Sequence, residues 1–170
     1  QDKLPAYETP GGHHRILMTE FSEFLERYGM PVYQDPSAQK ARVLVVDDDE
    51  ILTSTMADYF TKVAGYECTT ASDGYEAGVK IVGFAPDLVI LDLTMPNMNG
   101  FEVCEKIKSD KETNHILVLA ITGHPEDGNT DSIVATGADE VLVKPFKMSV
   151  LQEIVEKLFS KKKTRRRTAR

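Results

Sequence analysis

RVLVVDDDE, residues 42–50, sets an unbroken run of aliphatic and β-branched side chains directly against four carboxylates. RVLVV (42–46) is continuous rather than alternating, the pattern of a strand covered on both faces, as in a parallel sheet. Downstream the chain repeats the motif. ILTSTMADYFTKVAG places Ile51, Leu52, Met56, Tyr59, Phe60 and Val63 at helical spacing, with Gly65 as a stop. YECTTA reads as a second strand and DGYEAGVKIVGF as a helix capped by Asp73. DLVILD (87–92), HILVLAIT (115–122) and EVLV (140–143) supply three more strands. Between and after them lie helices at NGFEVCEKIKSD (99–110), EDGNTDSIVATG (126–137) and KMSVLQEIVEKLFS (147–160). Strict alternation of five strands with five helices predicts an α/β fold, a doubly wound five-stranded parallel sheet of flavodoxin-like order 2-1-3-4-5.

Residues 1–40 differ in kind. LPAYETPGGHHRI reads as two short extended pieces around a Pro-Gly-Gly turn. LMTEFSEFLERYGM follows with Leu17, Phe21, Phe24, Leu25 and Tyr28 on one helical face and Gly29 at its end. The expectation is a small hairpin-plus-helix extension over 1–30, a linker over 31–41, the α/β domain over 42–160, and a basic disordered tail over 161–170. A chain of 170 residues, 41% apolar, is the right size for one core plus such an appendage.

Net charge is −7, unevenly spread. The final KKKTRRRTAR carries seven of the 20 Lys and Arg, so 13 basic residues face 27 acidic ones elsewhere, a net of −14. Cys68 and Cys104 have no metal-ligand spacing and read as ordinary buried thiols in a reducing compartment. No apolar run approaches the ~20 residues of a membrane span, and QDKLPAYETP is not a signal peptide, so the chain reads as soluble and cytoplasmic.

In open α/β sheets, ligands sit at the carboxyl ends of the strands, near the point where strand order reverses. Strand one ends in Asp47, Asp48, Asp49 and Glu50, strand three in Asp92, strand four in Thr122, and strand five in Lys144-Pro145. Phosphate-bearing cofactors need glycines or hydroxyls after strand one, and carboxylates there repel them. Asp49 and Glu50 are assigned to capping the next helix. Carboxylates converging at a few Å repel by about 4 kcal/mol per close pair at an effective dielectric near 20 unless a cation sits among them. An open oxygen site of this kind is how Mg2+ is usually held. A carboxylate beside Mg2+, a lysine and a hydroxyl is an in-line acceptor for a phosphoryl group, so the pocket reads as an aspartyl-phosphate site.

VVDDDE (45–50), PDLVILDLTMPNMNG (86–100), AITGH (120–124) and VKPF (143–146), in this order and spacing, resemble the receiver domain of two-component response regulators from about Ala41 to Ser160. The resemblance implies that Asp92 is the phosphoacceptor, that Asp48 is a direct Mg2+ ligand and Asp47 an outer-shell one, and that the Thr94 carbonyl completes the protein ligands. It implies further that Lys144 pairs with the phosphoryl group and Thr122 hydrogen-bonds it. Four positions depart from or qualify the family pattern. Val141 stands where the family commonly has Tyr or Phe, which puts an aromatic rotamer switch in doubt. Gly123 replaces the usual Ala and should leave the mouth open. Thr94 and His124 occupy positions that in the family influence loss of the phosphoryl group to water, and His124 reads as an exposed loop histidine. The segment 126–137 has low summed helix propensity, the mark of an element able to shift on phosphorylation.

DKLPAYETPGGHHRI and the helix after it resemble the second half of a MerR- or excisionase-like winged helix-turn-helix domain. In such a wing, Arg15, helped by His13 and His14, contacts DNA phosphates or a narrow groove. The helices that would precede the wing have no counterpart before Gln1, so the chain reads as a fragment or as the descendant of a domain that lost its first half. The whole is expected to be a response regulator, not an enzyme. A sensor histidine kinase phosphorylates it, and it then alters self-association, as in a homodimer, or engagement of DNA through the complete N-terminal domain. The alternative is a receiver acting as a protein-interaction or phosphorelay module without DNA binding. A phosphoaspartate hydrolase would need an acid two residues after the nucleophile, where Thr94 stands.

Overall fold

A computed structural model of the chain describes residues 7–8, 12, 14–16, 18–30, 40–95, 98–125 and 129–168. The chain divides into two units, Gln1–Gln39 and Lys40–Arg170. In the first, Tyr7–Glu8 (β1) pairs antiparallel with His14–Arg15 (β2), and Met18–Arg27 (α1) follows. Gly29 takes φ 62, the left-handed geometry that ends a helix. Leu25 is buried, whereas Tyr28 at the same end is exposed. The expected hairpin-plus-helix is therefore present. The turn residues Thr9–Gly11, His13 and the expected linker residues 31–39 lie outside the described residues.

In the second unit, Arg42–Val46 (β3), Glu50–Lys62 (α2), Glu67–Ala71 (β4), Gly74–Phe84 (α3) and Leu88–Asp92 (β5) alternate as expected. A two-residue hairpin of Thr94–Met95 (β6) and Met98–Asn99 (β7) then precedes Gly100–Ser109 (α4). Leu117–Thr122 (β8), Asn129–Thr136 (α5), Glu140–Val143 (β9) and Met148–Thr168 (α6) complete the chain. The five long strands are parallel in the order β4-β3-β5-β8-β9, which is the predicted 2-1-3-4-5.

Alternation along each strand sends side chains to opposite faces. Leu44, Val46, Val89, Leu91, Val118 and Ala120 pack with Ala77, Val103, Ile107 and Ile133 of α3, α4 and α5. Val43, Val45, Leu88, Ile90, Leu119 and Ile121 pack with Met56, Phe60, Leu151 and Val155 of α2 and α6. Each large aliphatic so buried contributes roughly 1.5–3 kcal/mol of transfer free energy. Because both faces are covered, the sheet's own polar chemistry is confined to its ends.

The caps fall where the sequence places them. Asp49 accepts hydrogen bonds from the amides of Ile51 and Leu52, and Asp73 from that of Glu76. The helix expected over 126–137 is present as Asn129–Thr136, and 126–128 lie outside the described residues. Three expectations need correction. Ile51 and Val63 are 82% and 66% exposed, since the buried stripe of α2 is carried by Met56 and Phe60. Cys104 is buried but Cys68 only half-buried, its thiol pushed up to about 12 by burial. The basic tail over 161–170, expected to be disordered, continues α6 as far as Thr168. Lys and Arg are good helix formers, and cations in the last turns favour the negative end of the helix dipole.

Candidate functional site

Among the described residues, four polar or charged ones are buried: Asp47, Thr53, Asp92 and Thr122. Thr53 is satisfied within its own helix, its hydroxyl donating to the Glu50 carbonyl at 3.1 Å. The other three stand at the carboxyl ends of β3, β5 and β8. A buried charge is costly unless paired, so these three positions mark where the fold gives up stability for something else.

The pairing is supplied by Lys144, just past β9. Its Nζ donates to Asp92 Oδ2 at 2.6 Å and to Asp47 Oδ2 at 2.8 Å. The second oxygen of each acid is held by backbone: Asp92 Oδ1 accepts from the Thr94 amide at 2.9 Å, and Asp47 Oδ1 from the Asp49 amide at 2.9 Å. Asp48 is exposed, and carboxylate oxygens of Asp47, Asp48 and Asp92 lie within 4.8 Å of one another. One ammonium therefore bonds two of the three clustered carboxylates.

Burial and charge both act on the pair. Burial pushes the Asp92 carboxyl up, and the negative charge of Asp47 adds to this, against the pull of Lys144 and the Thr94 amide. Burial alone would lower Lys144, but its hydrogen bonds to Asp47 and Asp92 outweigh that and raise it. The donor set fits a hard divalent cation: carboxylate oxygens only, converging, with one acid open to solvent. A cation there would favour the ionised form of Asp92.

Thr122 closes the pocket from β8. It is fully buried, and its Oγ1 accepts from the His124 amide at 3.1 Å, which leaves the hydroxyl proton as the group it can donate. His124 itself is exposed, as is Gly123, where an added Cβ would meet nothing within 4 Å. Val141 is partly buried in the core beneath.

Two features of the site lay beyond the sequence reading. The Thr94 amide donates to Asp92 Oδ1, and the β6–β7 hairpin sets its position. Gly100 opens α4 so close to β5 that an added Cβ would stand 2.4 Å from the Asp92 carbonyl oxygen and 2.8 Å from Leu93 Cα. The Asn99-Gly100 pair was the available signal, and Asn99 does cap the helix by accepting from the Phe101 amide. His14 and Arg15 lie on β2 in the other unit, and His13 is outside the described residues. An apolar groove of about 610 Å³ between α3 and α4, lined by Tyr75, Val79 and Val103, shares no residue with the acidic cluster.

With this geometry in place, comparison with known proteins is direct. The family described as "Response regulator receiver domain" matches residues 43–156. The phosphate regulon transcriptional regulatory protein PhoB of Rhizobium meliloti is 32% identical over 72% of this chain and 53% of its own length. The alkaline phosphatase synthesis transcriptional regulatory protein PhoP of Bacillus subtilis is 38% identical over 62% of this chain and 42% of its own. The chain thus spans about half the length of the curated relatives it matches. Among solved structures, the receiver domain of a DNA binding response regulator protein (merR) from Colwellia psychrerythraea aligns with TM-score 0.66 at 30% identity, covering 71% of this chain and 98% of that one. Chemotaxis response regulator CheY4 of Vibrio cholerae aligns with TM-score 0.65 at 31% identity, over 69% and 98%. No described helix is long and apolar enough to cross a membrane. The match over most of the chain, the sheet order and the acidic carboxyl end together establish that this chain belongs to the response regulator receiver domain family.

Proposed function

We propose that the chain is a phosphorylation-controlled response regulator of the cytoplasm. Asp92 accepts a phosphoryl group from a sensor histidine kinase with Mg2+ present, and the event regulates DNA binding and transcription. The observation that carries this reading is the contact of Lys144 Nζ with Asp92 Oδ2 at 2.6 Å beside two further carboxylates. In the transfer, an Asp92 oxygen bonds to phosphorus as the bond from phosphorus to the kinase's imidazole nitrogen breaks. Lys144 then pairs with the phosphoryl oxygens, and Thr122 donates its hydroxyl to one of them. Asp48 and Asp92 directly, the Thr94 carbonyl, and Asp47 from the outer shell would hold Mg2+, which would supply positive charge against the negative charge of the incoming phosphoryl group.

Drawing Thr122 toward the phosphoryl group biases α5, the short helix that follows β8. Hydrogen exchange over 129–136 should change with a phosphoryl mimic, and equal protection in both states would remove this part of the reading. The N-terminal hairpin and α1 serve as the wing and following helix of a MerR-like domain. His13, His14 and Arg15 are its phosphate contacts, and self-association into a homodimer accompanies DNA engagement. The paired strands Tyr7–Glu8 and His14–Arg15 and the helix after them support this, as do relatives named as transcriptional regulators.

The test is labelling by a small-molecule phosphodonor with Mg2+, wild type against Asp92→Ala. Acid-labile, Mg2+-dependent incorporation in the wild type and none in the variant is expected. Equal labelling of the two would overturn the reading.

A further inference from the structure

The last helix continues beyond the end of its apolar face. Leu151, Val155 and Leu158 are buried against the sheet and Phe159 packs beside them. From Ser160 the sequence SKKKTRRRT holds no apolar residue, yet α6 runs on to Thr168. Lys162 fixes the junction. Its Nζ lies 3.2 Å from the Asp87 carbonyl oxygen and 3.5 Å from Asp87 Oδ1, with the side chain 12% exposed. Asp87 immediately precedes β5, so the extension departs from the amino-terminal end of the sheet, opposite the acidic pocket.

The charge of this extension is of one sign. Residues 161–168 hold six cations and no acid, while the chain outside 161–170 sums to −14. A polyanion is repelled by the body and attracted to this one element. Three classes of anionic surface could meet it, and the sequence selects among them. A membrane-lying helix needs an apolar face opposite its cations, and 161–168 has none. An acidic protein surface spreads its charge thinly. Duplex nucleic acid carries one charge per about 1.7 Å of axis. A helix rises about 1.5 Å per residue, so with Lys162 paired to Asp87 the other five cations of 161–168 stand roughly one per 2.4 Å of axis, the same order of density.

We propose that residues 161–168 form a cationic helix that binds the phosphate backbone of nucleic acid without sequence selection, at a site separate from the Asp92 pocket. This does not rest on the reading of Asp92. Phosphate contacts of this kind hold a protein on the duplex and leave sequence choice to other elements.

The experiment uses the full chain and a fluorescein-labelled duplex of arbitrary sequence, followed by anisotropy across a salt series. Wild type should bind with an affinity that falls steeply with salt and does not change when the sequence is scrambled. The combined variant Lys163→Gln, Arg165→Gln, Arg166→Gln and Arg167→Gln keeps Lys162 and helix-compatible side chains. It should lose about tenfold or more at low salt, and its log–log salt slope should shrink by about 3 to 4, roughly 0.9 per contact removed. Replacing two exposed lysines elsewhere, Lys62→Gln and Lys157→Gln, should leave the slope nearly unchanged. Unchanged affinity and slope in the combined variant would overturn the proposal. So would an equal loss in the Lys62/Lys157 variant, or equal competition by polyglutamate at matched charge.

Discussion

Two lysine–aspartate pairs sit at opposite ends of the same sheet with the same 2.6 Å separation, yet they have different uses. At the amino-terminal end, Lys108 Nζ donates to Asp139 Oδ2 and, at 2.7 Å, to the Ile116 carbonyl. Asp139 Oδ2 also accepts from the Val118 amide at 2.9 Å. One cation meets one anion, and the remaining bonds go to backbone that needs partners. At the carboxyl end one ammonium faces three carboxylates, of which Asp47 and Asp92 are buried. Contact distance does not separate a structural pair from a reactive one; charge stoichiometry does. The first pair is closed and ties α4 to β8 and β9. The second is left with negative charge to be met from outside the chain.

Removing the aspartate of each pair should therefore shift stability in opposite directions. Asp139→Ala strips Lys108 and the Val118 amide of their partner at once. The unfolding free energy should fall by about 3 kcal/mol in urea titration, with the denaturant slope unchanged. Gly100→Ala forces a methyl against the Asp92 and Leu93 backbone and should lose about 2 kcal/mol while slowing phosphoryl uptake. A variant with wild-type stability and uptake would show that the close approach of α4 does not shape the pocket.

Asp92→Asn should do the reverse and raise the unfolding free energy by about 1 kcal/mol at neutral pH without divalent cations. That is a fraction of the ~4 kcal/mol repulsion of a close pair. The sign follows from the raised carboxyl of Asp92. Its protonated form contributes stability that is present below the ordinary carboxylate range and is lost as pH rises through the folded-state value. Asparagine stays neutral throughout, so the gain should disappear in acid. A destabilised Asp92→Asn at neutral pH would erase the distinction between the two pairs.

The smallest effect is expected at Glu76, where hydrogen bonds from Lys80 and then from the Ser72 amide lower the carboxyl from 4.5 to about 2. Here stability is present above the ordinary value and lost as pH falls toward 2. The group is 40% exposed, so Glu76→Gln should only flatten the acid limb of the stability profile, read by thermal melts between pH 2 and 5.

The same contrast explains what could be read from the sequence. Strands β3, β5 and β8 were legible because burial on both faces demands uninterrupted apolar runs. Asp47, Asp92, Thr122 and Lys144 were legible because a strand pattern tells where each strand ends, and strand ends converge in this topology. The Lys108–Asp139 pair was not, since its partners are 31 residues apart and each looks like an ordinary surface charge. The β6–β7 hairpin has two residues per strand, too few for any periodicity. At α2, periodicity overreached: Ile51 and Val63 share the helical spacing but fall beyond the stripe that meets the sheet. At 161–168, like-charge repulsion argued for disorder, while helix propensity and a seated preceding helix carried the backbone on.

The central claim is that the surplus carboxylates at the carboxyl end are there to hold a cation. Calorimetric titration with Mg2+ tests it most directly, comparing wild type with Asp48→Asn, whose exposed side chain can be neutralised without disturbing the core. The account predicts one Mg2+ site in the wild type and an affinity lower by about tenfold or more in Asp48→Asn, with thermal stability in the absence of Mg2+ not reduced. Equal Mg2+ affinity in the two proteins, or no binding by either, would contradict it.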